Sequence, residues 1–207
     1  MDIGGVFDSM KNTGVLEDVK EKGIEWIFVT PVDNPLMELV DPVFVVYDKS
    51  LWYDSLSKSI VRTDPTQKNG VFCKIDNKVN VMEYTEISPE LMNKQNEDGS
   101  LYLRYAHINC NMFNIDTIDK ILGIDIPYHI ANKKSKYLGL DGNIIEPTEP
   151  NCFKYEKFIF DYFPHISKVG IYVVDRSLEY EPIKANADKA RQAYINKWGE
   201  NKWRHIL

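Results

Sequence analysis

Cysteine is scarce in this chain. Cys73, Cys110 and Cys152 are the whole supply, an odd number with no C-x-x-C spacing. That argues against a disulfide framework and against a zinc site, and it fits thiols kept reduced in the cytoplasm. Long apolar runs are missing too. No segment approaches the length that spans a bilayer, and the N-terminus, MDIGGVFDSMKNTG, has neither the basic nor the apolar region of a secretory leader. The expectation is a soluble cytoplasmic protein. His107, His129, His165 and His205 form no metal-ligand spacing, and the chain carries no GxSxG, HExxH, P-loop or Rossmann fingerprint. Gly4-Gly5 alone is too short to cradle a phosphate. Positive charge is also in deficit, with 25 Lys and Arg against 31 Asp and Glu for a formal charge of -6. An acidic surface disfavours nucleic acid or anionic membrane as the main partner. A phosphorylated small molecule stays open, because a few lysines inside a cleft can outweigh net charge.

What is present is the material of a core. The 207 residues are 43% hydrophobic and include 12 Tyr, 9 Phe and 4 Trp, enough for one sizeable core and unlike a disordered segment. Leu16 and Val19 share one face of a short helix that Gly23 can cap. Ile24 to Val32 is apolar, β-branched and aromatic, and it predicts a central buried strand stopped by Asp33-Asn34-Pro35. Val43 to Tyr47 predicts a second strand. Val71 to Tyr84 alternates on both sides of Asp76-Asn77, which predicts a hairpin. Tyr102 to Ile108 reads as a strand, and Ile115 to Leu122 and His129 to Tyr137 as helices. Phe158, Ile159, Tyr162 and Phe163 form a helical stripe that Pro164 ends. Lys168 to Val174 reads as a strand and the charged tail, from about Ala187 to Leu207, as a helix. The class is α/β, a mixed sheet flanked by helices, with one body over 1–186 and a helical tail over 187–207.

Four places could carry chemistry. A strand running into Val32-Asp33-Asn34 puts a carboxylate where open α/β sheets bind ligands, and such a carboxylate can hold magnesium (Mg2+) against a diphosphate. Asp-Asn-Pro is also good turn chemistry, and on spacing alone the turn is the commoner outcome. Pro150 to Glu156 leads into a helix predicted over Lys157 to Phe163. Lys154 at a helix start is badly placed for the dipole unless an anion binds there. Lys184, in Glu181-Pro182-Ile183-Lys184-Ala185-Asn186, is a second loop lysine after a strand. Glu83-Tyr84 at a strand end pairs a carboxylate with an aromatic, which suits sugar hydroxyls. For each lysine the plainer reading is a solvated charge, and half-exposed strand ends often look like Glu83-Tyr84.

Taken in order, these segments resemble the eukaryotic-type UDP-N-acetylglucosamine pyrophosphorylases, over nearly the whole chain to about Arg191. The residues that carry the resemblance are Gly4-Gly5-Val6-Phe7, Val32-Asp33-Asn34-Pro35-Leu36, Gly70-Val71 and Val81-Met82-Glu83-Tyr84-Thr85-Glu86-Ile87. His107-Ile108-Asn109-Cys110-Asn111 follows, then PNCFKYEKFIFD from Pro150 to Asp161 and Pro182-Ile183-Lys184-Ala185-Asn186. The resemblance implies the C-terminal part of a nucleotide-diphospho-sugar transferase fold, GT-A or Rossmann-like. The implied substrates are UTP and an N-acetylhexosamine 1-phosphate, with Mg2+ as cofactor. By the same likeness Gly4 and Gly5 approach uridine, Asp33 holds the metal at the diphosphate, Asn34 beside it contacts substrate, and Lys154 and Lys184 contact phosphate. Gly70, Glu83, Tyr84 and either Asn109 or Asn111 contact the sugar.

The departures are specific. The family's Gly-rich loop, which grips the triphosphate, lies far upstream of the Gly-Gly pair and is absent from these residues. Ile3 stands where the family has Asn before Gly-Gly, and Cys152 stands where it has Gly. The expectation is therefore a truncated uridylyltransferase, inactive alone, that partners a separately supplied N-terminal half or associates with itself. The alternatives are a non-catalytic nucleotide-sugar binding module and a glucose 1-phosphate uridylyltransferase.

Overall fold

A computed structural model of the protein describes residues 3–39, 41–183 and 187–199. The elements run α1 (Val6–Asn12), α2 (Val15–Glu21), β1 (Trp26–Val29), α3 (Pro42–Leu51), β2 (Ser55–Val61), β3 (Val71–Ile75), β4 (Lys78–Met82) and α4 (Pro89–Asn93). Then come β5 (Tyr105–Asn114), α5 (Ile115–Ile121), β6 (His129–Lys133), β7 (Tyr137–Leu138), β8 (Ile144–Ile145), β9 (Cys152–Glu156), a 3-10 helix (Ile159–His165), β10 (Val169–Val174), α6 (Arg176–Glu179) and α7 (Ala187–Trp198). The predicted α/β class with a mixed sheet holds. β10 runs parallel to β2, and the other pairings are antiparallel.

β5 is the spine of the main sheet. One side of it pairs with β2, and the other pairs with β3 near its start and with β1 at its end. On β2, Leu56, Lys58 and Ile60 point to one face and Ser55, Ser57 and Ser59 to the other. All six are buried. This central strand escapes a pattern reading because its serines look exposed. Their hydroxyls are satisfied inside the sheet, on Met112 O at 3.0 Å, Asn111 Oδ1 at 2.6 Å and Ala106 O at 2.9 Å respectively. Below one face Phe7, Phe113 and Phe163 pack with Ile118, Ile121 and Ile159. The opposite face packs Ile60 on Ile108 and Cys110, and Leu56 on Phe44 and Met112.

Several predicted elements stand where expected. Asp76 and Asn77 both take positive φ, 49° and 62°, the conformation a two-residue hairpin turn needs. Gly23, at φ 69°, follows α2, and α5 and β10 form as read.

Others do not. Ile24 to Val32 yields only the four-residue β1, half-buried and paired on one side with β5; among the described residues nothing pairs with its other edge. The run is broken by Pro31, and Val32 is 84% exposed. Val43 to Tyr47 lies in α3 rather than a strand, because Asp41 caps the N–H groups of Val43 and Phe44 and Pro42 fills the first helical turn. That start signal overrides the β-branched run. His129 to Tyr137 forms strands β6 and β7 rather than a helix. The predicted strand Tyr102 to Ile108 starts later and runs further, to Asn114. The tail helix is described to Trp198, and the rest of that prediction, 200–207, lies outside the described residues. Lys197 at its end donates to Leu36 O and Leu178 O, at 2.8 and 2.6 Å.

Candidate functional site

One cleft of about 370 Å³ gathers residues from across the chain. Gly70, just before β3, and Glu83 and Tyr84, just after β4, line one wall. A Cβ on Gly70 would sit 2.7 Å from Val81 Cγ1 and 3.4 Å from Glu83 Oε2, so only glycine lets the chain pass here. Asn109 lines the cleft from β5. Between Ser57 and Ser59 the register of β2 against β5 shifts, so residues 108–110 bulge opposite Lys58, and Asn109 takes φ 59° at that bulge. Bulges re-aim side chains at sites of this kind.

Asn111 stays behind the cleft. It is fully buried, and its Oδ1 lies 2.6 Å from Ser57 Oγ and 2.9 Å from His107 Nε2. Burial pushes His107 down to about 4, so the ring is neutral at physiological pH and its Nε2–H can donate to Asn111. The amide of Asn111 reaches Asn109 Oδ1 at 3.4 Å. Of the two asparagines, Asn109 is the one that lines the cleft.

Lys154 lines the cleft too, but not from a helix start. It sits in the middle of β9, and the helix begins only at Ile159, so the expected dipole argument does not apply. Alternation on the β6–β9 ribbon explains its position. Lys154 and Glu156 share the cleft face with their register partners Ala131 and His129, while Phe153 and Tyr155 point away and are exposed. Lys154 Nζ rests on Glu156 Oε1 at 2.7 Å.

Asp33 lines the cleft at the end of the segment after β1. The loop it opens is laced to the segment that follows α6. Ile183 N donates to Asp33 O at 2.7 Å, Asn34 Nδ2 to Glu179 O at 2.7 Å and Glu181 N to Asn34 Oδ1 at 3.1 Å. Asn34 is buried and uses its side chain on these backbone groups. The lacing is anchored to the sheet by Lys58, whose Nζ lies 3.0 Å from both Asp41 Oδ2 and Glu179 Oε1 and is fully buried. Glu179 Oε2 also accepts from Glu38 N at 3.2 Å.

Gly4 and Gly5 are not among the residues lining the cleft, although Ile3 is. Gly4 N donates to Lys157 O at 2.9 Å, and a Cβ there would meet that carbonyl at 2.5 Å. This glycine lets α1 approach the end of β9. Gly5 precedes α1 with open space around it. Lys184 lies outside the described residues. Sequence reading missed Lys68, Lys133, Glu86 and His129, which also line the cleft. Glu86 was legible only as part of the Glu-Tyr-Thr-Glu segment, and His129 not at all, since its two carboxylate partners come from distant positions.

As to a metal, no group of three or more His, Cys, Asp or Glu side chains among the described residues is placed to hold one. A single carboxylate does suit Mg2+ where a ligand brings phosphate, since the ion takes one or two carboxylates and fills its shell from phosphate and water. Asp33 fits that requirement.

The profile of the family described as UTP–glucose-1-phosphate uridylyltransferase matches residues 3–195. The chain belongs to this family. It is 36% identical over 190 residues to UDP-N-acetylhexosamine pyrophosphorylase-like protein 1 of Xenopus tropicalis, covering 90% of this chain and 37% of the relative. Against the UDP-N-acetylglucosamine pyrophosphorylase of Saccharomyces cerevisiae it is 33% identical over 205 residues, 93% of this chain and 43% of that one. A solved Entamoeba histolytica protein assigned as a UDP-N-acetylglucosamine pyrophosphorylase superposes with a TM-score of 0.80 at 35% identity, over 90% of this chain and 46% of its own. The chain thus spans about two-fifths of the curated relatives it matches.

Proposed function

We propose that these residues form the sugar-phosphate side of a uridylyltransferase that converts UTP and N-acetylglucosamine 1-phosphate to UDP-N-acetylglucosamine and pyrophosphate. The observation that carries this reading is convergence. Asp33, Gly70, Glu83, Tyr84, Asn109 and Lys154, far apart in sequence, line one cleft. The names borne by relatives at 33–36% identity favour the hexosamine over glucose.

In this reading a phosphate oxygen of the sugar phosphate attacks the α-phosphorus of UTP, a P–O bond forms there, and the bond to pyrophosphate breaks. Such chemistry needs alignment and charge neutralisation more than a protein nucleophile. Lys154 leaves Glu156 for the incoming phosphate. Glu83 accepts hydroxyl protons of the sugar, Tyr84 offers its ring, Asn109 reads a hydroxyl or the acetamido group, and Gly70 gives the ring room. Asp33 would hold Mg2+, which supplies charge neutralisation between the phosphates. Lys184 would add a second positive charge, because the segment leading to it is tied to the Asp33 backbone.

The triphosphate grip belongs to the Gly-rich loop, which these residues do not contain, and among the described residues nothing pairs with the second edge of β1, on which further strands could pair. We accordingly assign pyrophosphate release to the chain joined by such a partner segment or by self-association, in the cytoplasm, where its three unpaired thiols stay reduced. The test is a pyrophosphate-release assay with UTP, Mg2+ and N-acetylglucosamine 1-phosphate, on this chain alone and after adding the upstream part of the Saccharomyces cerevisiae relative. Turnover only in the mixture is the expected result. Turnover by the 207-residue chain alone would refute the dependence. Binding with no turnover in either case favours a non-catalytic nucleotide-sugar module.

A further inference from the structure

His129 lines the cleft and stands between two carboxylates. Its Nδ1 lies 2.6 Å from Glu86 Oε1, on the loop after β4, and its Nε2 lies 3.0 Å from Asp161 Oδ2, in the 3-10 helix. A carboxylate only accepts, so both ring nitrogens must carry a proton for both contacts to be favourable. The neutral ring has one N–H and would turn a lone pair towards one of the two carboxylates.

The ribbon that carries His129 depends on such ties. β6 and β9 pair with each other and, among the described residues, with no strand of the main sheet. His129 and Lys154 are on its cleft face, in the pairs His129–Glu156 and Ala131–Lys154, with the pair Ile130–Tyr155 between them. Gly70, just before β3, and Glu83, just after β4, line the same cleft, and Glu86, three residues after Glu83, reaches His129. We propose that His129 is a positioning residue: as an imidazolium it clasps the β6–β9 ribbon to Glu86 and Asp161 and so sets where Lys154 stands for a phosphorylated sugar. The ligand part of this proposal rests on the function proposed above; the clasp itself does not.

The charged groups around the ring are Glu86, Asp161 and, from β9, Glu156, whose carboxylate is taken by Lys154. The rings of Phe158 and Phe160 pack at 4.8 and 6.1 Å. Burial alone would lower the His129 value, but the hydrogen bond to Glu86 and the charge of Asp161 lift it above the ordinary imidazole range. The clasp needs both carboxylates ionised, and burial raises that of Asp161; above their titration it persists past the unperturbed imidazole value, about 6.5, and is lost as pH rises through the higher value of the folded state.

Two readouts separate the clasp from the substrate. The first is amide-exchange protection, corrected for intrinsic rates, at 130–133 and 153–156 against pH. Wild type should lose about fivefold or more in protection as pH rises past neutrality. His129→Asn should be flat at the low level, and Glu86→Gln should move the midpoint to lower pH. Unchanged protection at β2 and β5 establishes that the variants fold. A flat wild-type profile, or a wild-type profile in His129→Asn, overturns the proposal.

The second readout is calorimetric affinity for UDP-N-acetylglucosamine over the same range, a ligand whose diphosphate keeps its charge there. Affinity should follow protection in wild type and become independent of pH in His129→Asn. If protection follows pH and affinity does not, His129 orders the ribbon without positioning Lys154, and the proposal fails. If protection follows pH and nothing binds at any pH, the clasp stands and the substrate assignment falls.

Discussion

Lys58 stands on β2 between Leu56 and Ile60, where strand alternation calls for an apolar side chain. It is fully buried between Asp41 and Glu179, both at 3.0 Å. Removing one member of such a group leaves the others charged and unsolvated. Lys58→Ala is expected to cost about 3–5 kcal/mol of stability, measured by urea unfolding, whereas an apolar replacement of all three groups should cost much less. Burial alone would raise the Asp41 carboxyl, but Lys58 and the N–H groups of Phe44 and Val43 hold it below its ordinary value. A depressed carboxyl stabilises above its unfolded value, about 3.9, and loses that contribution as pH falls through the folded one. Asp41→Asn should therefore be less stable at neutral pH and show a shallower fall in stability in acid. Lys154→Ala should weaken sugar-phosphate binding by about one to two decades, from roughly 1.5–3 kcal/mol for a charge-assisted hydrogen bond, and leave uridine binding nearly unchanged. An equal effect on both ligands would contradict its role. Lys154 and Glu83 were legible as chemistry because they sit in motifs. Lys58 and His129 were not, because a buried charge is recognisable only from partners that are far away in sequence.

Among the elements, legibility followed local signals. The β3–β4 hairpin was readable because Asp76-Asn77 is local turn chemistry. Both residues take positive φ, and a side chain is strained there. Asn77→Gly is expected to raise stability by a few tenths to about 1 kcal/mol, relief of that strain offset in part by the entropy of glycine, seen as a higher urea midpoint at unchanged slope. α3 was misread because the β-branched run at Val43 outweighed the Asp41-Pro42 start signal. β6 and β9 were misread for the opposite reason. The ribbon presents Phe153 and Tyr155 outward and charged residues inward, so its alternation does not look like that of a strand with a buried apolar face. β2 escaped because the partners of its serines lie on β5, about fifty positions away.

At the scale of the molecule, β1 has, among the described residues, one edge that no strand pairs, beside a cleft that gathers Asp33, Gly70, Glu83 and Lys154. The likeness to known relatives was readable from ordered motifs spread over most of the chain, and the family profile covers residues 3–195. The shape of the cleft was not readable, since it depends on the bulge at Asn109 and on the ribbon's placement. No helix among the described residues is long and apolar enough to cross a membrane. On the proposed function this cleft binds N-acetylglucosamine 1-phosphate through Lys154, Gly70 and Glu83, which all line it. Calorimetric titration of that ligand into the chain, with Mg2+ present and glucose 1-phosphate as the comparison, tests it most directly. One-to-one binding is expected, tighter for the acetamido sugar and greatly weakened in both Lys154→Ala and Gly70→Val. No heat with either ligand, or binding that neither substitution disturbs, would contradict it.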